Sequence, residues 1–285
     1  MRQAARQDRF TTMTRSAPRT PPDAARPAGE SAQYSLPAIL AIWGSVTVPM
    51  GLLAFAAAPV LIAQSTMNPG LIYWMLMVAG MIWQFIVSLT VLRLELKTLR
   101  WEVLKTRLWV NRPRHPKTGQ PGRALWLWIV PALAANALGG FLAAGLDVAW
   151  LDRLGEVMDP RLVAPVYTTF DALDDPSLQG EWWILGLAVT SALFNYLLGE
   201  ELLFRGVLLP RMAGVFGRWD WVANTVLFGL YHVHKIWYWP SLILGSFGFA
   251  WATKRFRSIW MAVVMHGLES FFLVIVFALV LGIEL

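Results

Sequence analysis

Again and again this chain runs for about 20 residues with almost no charge, the length a helix needs to cross a bilayer. Such runs begin near positions 36, 71, 124, 182, 219, 241 and 258, the one from 241 being short. Hydrocarbon offers no hydrogen-bond partners to a backbone, so only helices and closed barrels can span it. The runs are continuous rather than alternating, which argues against a barrel. The expected fold is all-α: a polytopic transmembrane helical bundle of about seven to eight spans over residues 36–285, behind a tail at 1–35. The sequence has no cysteine, which removes a disulfide framework, a thiol nucleophile and a Cys-type zinc site from consideration.

Residues 1–35 are rich in Arg, Pro, Ala and Thr and poor in large apolar side chains. They are expected to form a disordered cytoplasmic tail. A short apolar core followed by a cleavage site, the mark of a signal peptide, is not found there. Asp8, Asp23 and Glu30 speak against a transit peptide. The formal charge of +6 is unevenly placed. The loop at 93–123 is basic, and residues 150–181 are acidic. The positive-inside rule then puts the tail and the basic loop in the cytoplasm and the acidic loop outside. Seven spans return Lys254, Arg255 and Arg257 to the inner face as well. These placements describe an integral protein of the plasma membrane and account for the charge without nucleic acid. The turn-rich piece at 111–122 is expected at the surface, with His115 solvated.

Within these runs a few ionisable residues stand out, and such groups persist in a membrane mainly where they face the bundle interior and find partners. Glu200, Glu201 and Arg205 lie in the otherwise apolar run from 182 to 209. Glu201 and Arg205 are four apart and suit an ion pair on one helix face. Glu200 is turned about 100° away and is left for chemistry. Asn224, Phe228 and His232 repeat every four residues as one stripe, whereas His234 is expected to point almost the opposite way and to serve packing. His266 and Ser270 share a face on the last run, within reach of Glu269. Counted from the inner surface at the helical rise, Glu200, His232 and His266 lie at roughly 16, 20 and 12 Å, close to one layer.

One glutamate with two histidines suits two chemistries. A carboxylate withdrawn from water can act as a general base on a water held with His232. His266 and Ser270 would then stabilise the resulting oxyanion. Alternatively, Glu200, His232 and His266 could hold zinc with an open position for water. The chain lacks a His-Glu-x-x-His spacing, so no cofactor is expected and zinc is the alternative.

The motifs Glu200-Glu201-x-x-x-Arg205, Phe228-x-x-x-His232 and His266 with a polar residue four later resemble those of the CPBP intramembrane proteases. That family includes the CAAX prenyl endopeptidases and the bacteriocin-processing and self-immunity proteins. The resemblance covers about residues 182–280. It implies a helical bundle whose active-site cavity opens to the cytoplasmic side. It further implies that Glu200 activates water, that His232 holds it, and that His266 and Ser270 form the oxyanion site. Glu201 and Arg205 would support them, with Asn224 and Phe228 beside them. Ser270 departs from the pattern, which usually has Asn there.

The expected activity is therefore an intramembrane endopeptidase. Its expected partners are a protein or peptide substrate, membrane-anchored or lipidated substrates included, and membrane lipid. The alternatives are an idle scaffold or immunity factor of the same family and a proton-coupled transporter. A transporter would gain from inverted repeats, and none is apparent.

Overall fold

A computed structural model describes residues 32–268 and 272–283, all in helices, turns and irregular segments. Among the described residues no β-strand forms; an isolated bridge joins Arg114 to Pro121. Five helices are long and apolar enough to cross a membrane: Leu36–Gln64, Pro69–Leu96, Arg123–Val157, Trp183–Arg211 and Ile259–Leu281, the last described on either side of residues 269–271. The molecule is thus the expected all-α membrane bundle.

Local sequence explains where these helices start and bend. Ser35 caps the first by accepting from the Ala38 amide, and Asn68 caps the second by accepting from that of Leu71. Each is followed by proline at the start of its helix, where no N–H is needed. Pro49, inside the first helix, cannot supply the N–H of a regular turn, and the chain passes into a π-helical stretch at Leu53–Ala57 before Pro59 restarts it.

The fifth and sixth spans expected at 219–237 and from 241 differ from that expectation. Each is broken. Asp220–Tyr231 ends at His232, and a 3₁₀ stretch, Val233–Tyr238, continues with Lys235 outside helical dihedrals. The return consists of Trp239–Leu244 and Phe247–Phe256, separated at Gly245 and Ser246. A 12-residue helix is about 18 Å long, well short of the hydrocarbon core. The backbone groups freed by the breaks are met by other helices, as hydrocarbon requires. Tyr73 donates to the His234 carbonyl at 2.7 Å, and Trp150 donates to that of Ile236 at 2.7 Å. Asp147 accepts from the Ser241 amide at 2.9 Å, and Asn136 from that of Gly248 at 2.7 Å. Close packing here depends on glycine: a Cβ at Gly139 would lie 2.1 Å from the Leu244 carbonyl oxygen.

Polar ties sort the loops into two ends. At one end Arg107 and Arg211 both pair with Glu95, and Tyr34 donates to Glu95 at 2.5 Å. Arg107 also donates to the carbonyls of Gly206 and Val207, at 3.0 and 2.9 Å, which fixes the end of the Trp183–Arg211 helix. Burial, followed by the bond to Glu95, pushes the Tyr34 hydroxyl up to about 12. Asp220 pairs with Lys254, so both limbs of the broken hairpin end together. At the other end Asn68 donates to Asp175 and to the Ala172 carbonyl, which joins the first turn to the acidic segment.

Candidate active site

The Trp183–Arg211 helix carries the carboxylates, and its regularity fails around them. Phe194–Leu198 and Leu202–Leu208 are π-helical, a wider winding that recurs at functional sites. Gly199 lies between these stretches; a Cβ there would meet the Phe194 carbonyl oxygen at 2.5 Å and the Met81 carbonyl oxygen at 3.2 Å. The helix therefore approaches its neighbour closely at the residue preceding Glu200.

Glu201 and Arg205 are both fully buried and pair at 3.1 Å, as their spacing implies. The Arg205 guanidinium also lies 3.9 Å from the centroid of the Phe228 ring, a cation–π contact in a water-poor setting. Asn224 donates to the Phe204 carbonyl at 2.8 Å and so satisfies a backbone group of the π-helical stretch. Asn224 and Phe228 therefore brace the carboxylate helix.

His232 caps the broken helix. Its Nδ1 lies 2.8 Å from the Phe228 carbonyl oxygen, an acceptor only, so Nδ1 carries the proton and donates. In the neutral ring Nε2 is then an acceptor, and it faces Glu200 Oε1 at 3.7 Å. That separation is too long for a hydrogen bond. Oε2 of Glu200 has no hydrogen-bond partner among the described residues. His266 Nδ1 reaches Glu201 Oε1 at 3.0 Å. Its ring stacks on Phe249 at 5.2 Å and lies 5.2 Å from Tyr196. The Phe228 ring contacts both histidines, with ring centroids 4.8 Å from His232 and 6.2 Å from His266.

Glu200, Glu201, Arg205, Asn224, Phe228, His232 and His266 therefore come together from three parts of the chain. Ser270 and Glu269 lie outside the described residues. His234 corrects the sequence reading: its ring centroid is 5.4 Å from that of His232, with the planes at 33°. The expected opposition assumed an unbroken helix, and the helix ends at Tyr231. Sequence reasoning also missed Phe249 and Tyr196 beside His266, and the Tyr231 hydroxyl, which donates to Gln84 at 3.3 Å. Their apolar or aromatic surroundings gave no local signal.

The zinc alternative requires Glu200, His232 and His266 to converge on one point. No group of three or more His, Asp or Glu side chains placed to hold a metal ion occurs among the described residues. His266 instead directs Nδ1 to Glu201.

Fold and site together define a helical integral membrane protein with an acid–base cluster buried between its helices. Residues 180–282 match the family model described as type II CAAX prenyl endopeptidase Rce1-like. This part of the chain is thus similar to the CPBP and CAAX proteases, the family its motifs resemble, which at the family level is a CAAX-type intramembrane endopeptidase. Curated proteins and solved structures give no match.

Proposed function

We propose that the chain is an intramembrane endopeptidase that hydrolyses a peptide bond with water activated by Glu200. The observation that carries this reading is the pair of acceptors, Glu200 Oε1 and His232 Nε2, 3.7 Å apart. A water seated between them donates one hydrogen to each and turns a lone pair outward. Glu200 takes the proton as the water oxygen attacks the scissile carbonyl carbon. His266, held through Nδ1 by Glu201, presents Nε2 to the developing oxyanion; as an imidazolium it donates there, and Ser270 is assigned the second donor by the resemblance of the motifs. Collapse of the tetrahedral intermediate breaks the C–N bond, and Glu200 returns the proton to the leaving amine.

No metal takes part in this scheme, and activity is expected to survive dialysis against a strong chelator. The substrate is a protein or peptide, with membrane-anchored and lipidated chains as candidates. The protein sits in the plasma membrane with the basic end cytoplasmic. The test compares membrane peptides from cells carrying wild type and Glu200→Gln. Intact precursors should accumulate in the variant, and purified Glu200→Gln should lose at least about 10²-fold in turnover. Wild-type turnover by Glu200→Gln on a genuine substrate overturns the reading.

A further inference from the structure

The basic loop, whose turn-rich piece is expected at the surface, forms a wall of a cleft of about 990 Å³ at the end of the bundle marked by Lys254. Lining residues come from 105–119, 218–221 and 251–257, and none belongs to the acid–base cluster. Lys105, Lys117, Arg218, Arg255 and Arg257 face it without a carboxylate partner among the described residues. No Asp or Glu is among the residues that line it. His115 adds a donor: its Nδ1 accepts from the amides of Lys117 and Thr118, both at 3.3 Å, which leaves the proton on Nε2.

This cleft is built rather than incidental. Trp109 and Arg257 both hold left-handed backbone, with φ of 56° and 47°. Bulky residues adopt that region only when the surroundings impose it. Here a ladder imposes it. Ile259 donates to the Trp109 carbonyl at 3.1 Å, the Asn111 side chain to that of Arg257 at 2.8 Å, and the Arg114 amide to that of Phe256 at 2.9 Å. The loop is thereby fastened to the start of the helix that carries His266.

The wall is also aromatic, with Trp109, Trp221 and Trp251. Trp251 packs on Trp128 at 5.9 Å. Beyond Trp128 the outer surface is apolar: Leu127 is 70% exposed and Val130 67%. A cation-lined mouth thus adjoins an exposed apolar strip on a membrane-crossing helix. An acidic peptide would use the mouth alone, whereas an anionic lipid uses both.

We propose that this cleft binds the phosphate head group of an anionic membrane lipid, with its acyl chains along Leu127, Trp128 and Val130. The proposal requires only that the protein is membrane-embedded and is independent of peptide cleavage. Purified full-length protein is examined by native mass spectrometry after exchange into mixed phosphatidylglycerol and phosphatidylcholine. The variants are Lys105→Gln/Lys117→Gln/Arg255→Gln, all exposed side chains, and Leu127→Ser/Val130→Ser. Unchanged melting of each variant establishes that it is folded; should the triple variant not fold, Arg255→Gln alone replaces it. Wild type is expected to retain phosphatidylglycerol over phosphatidylcholine by at least about tenfold, the charge variant to fall towards parity, and the strip variant to hold less of both. Equal retention of the two lipids by wild type, or an undiminished preference in the charge variant, overturns the proposal. Inorganic phosphate or oligoglutamate that displaces phosphatidylglycerol, with the strip variant behaving as wild type, would instead identify a free-phosphate or acidic-peptide site.

Discussion

Nδ1 of His266 and Oε1 of Glu201 lie 3.0 Å apart, and the same oxygen receives Arg205 at 3.1 Å. One carboxylate therefore orients the histidine and balances the buried guanidinium at once. Glu201→Gln is expected to remove both functions. Loss of one member of a fully buried pair costs about 3 kcal/mol or more, so melting in detergent should fall sharply together with turnover. Glu200→Gln, which breaks no short contact, should melt as wild type does. Equal stability of the two variants would contradict this division of roles.

The two neighbouring histidines are separable by substitution. His232 holds its tautomer through the Phe228 carbonyl, whereas His234 contributes its own backbone carbonyl to Tyr73. His232→Ala should lower turnover by about 10²-fold or more. His234→Gln, which keeps the backbone bond, should stay near wild type. A large loss in His234→Gln with normal melting would make His234 part of the chemistry.

Orientation is open to cysteine labelling, since the chain has no cysteine of its own. A cysteine at Thr118 should react only with permeant reagents in intact cells, and one at Ser177 should also react with impermeant ones. The opposite pattern would turn the molecule over.

The Tyr34–Glu95 bond has a defined pH window. The Tyr34 hydroxyl is raised from 10.0 to about 12 in the fold. Its contribution is thus fully present below pH 10 and is lost as pH rises through 12. Tyr34→Phe should lose about 1 kcal/mol at neutral pH. The gap from wild type should close above pH 11, as read from melting across pH. A gap independent of pH would place the loss in packing.

For Ser270, the role implied by the resemblance sets the expectation. Ser270→Ala should slow turnover by about 10² or less, and Ser270→Asn should match or exceed wild type, while His266→Ala is inactive. If both serine variants behave as wild type, another group completes the oxyanion site.

Much of the site was legible because helical geometry is local. Four-residue spacing gave the Glu201–Arg205 pair, and the stripe of Asn224, Phe228 and His232 correctly faces the carboxylate helix. The break after Tyr231 was not legible. Neither proline nor glycine sits at His232, and the broken backbone is held by Tyr73, Trp150 and Asp147, remote in sequence. The place of His234 follows from that break, so it was misread for the same reason. The stacking of Phe249 on His266 likewise joins two separate helices and has no counterpart in local periodicity.

Every side chain named above as satisfying the broken hairpin, Tyr73, Asn136, Asp147 and Trp150, precedes that hairpin in the chain. Ribosomal synthesis therefore delivers the receiving surface before the segment that cannot rest in lipid alone. Inserted without those helices, residues 220–256 would expose carbonyls and amides to hydrocarbon. Two co-expressed halves divided near position 180 should consequently show one-way dependence: the first half inserts by itself, whereas the second is degraded unless the first is already in the membrane.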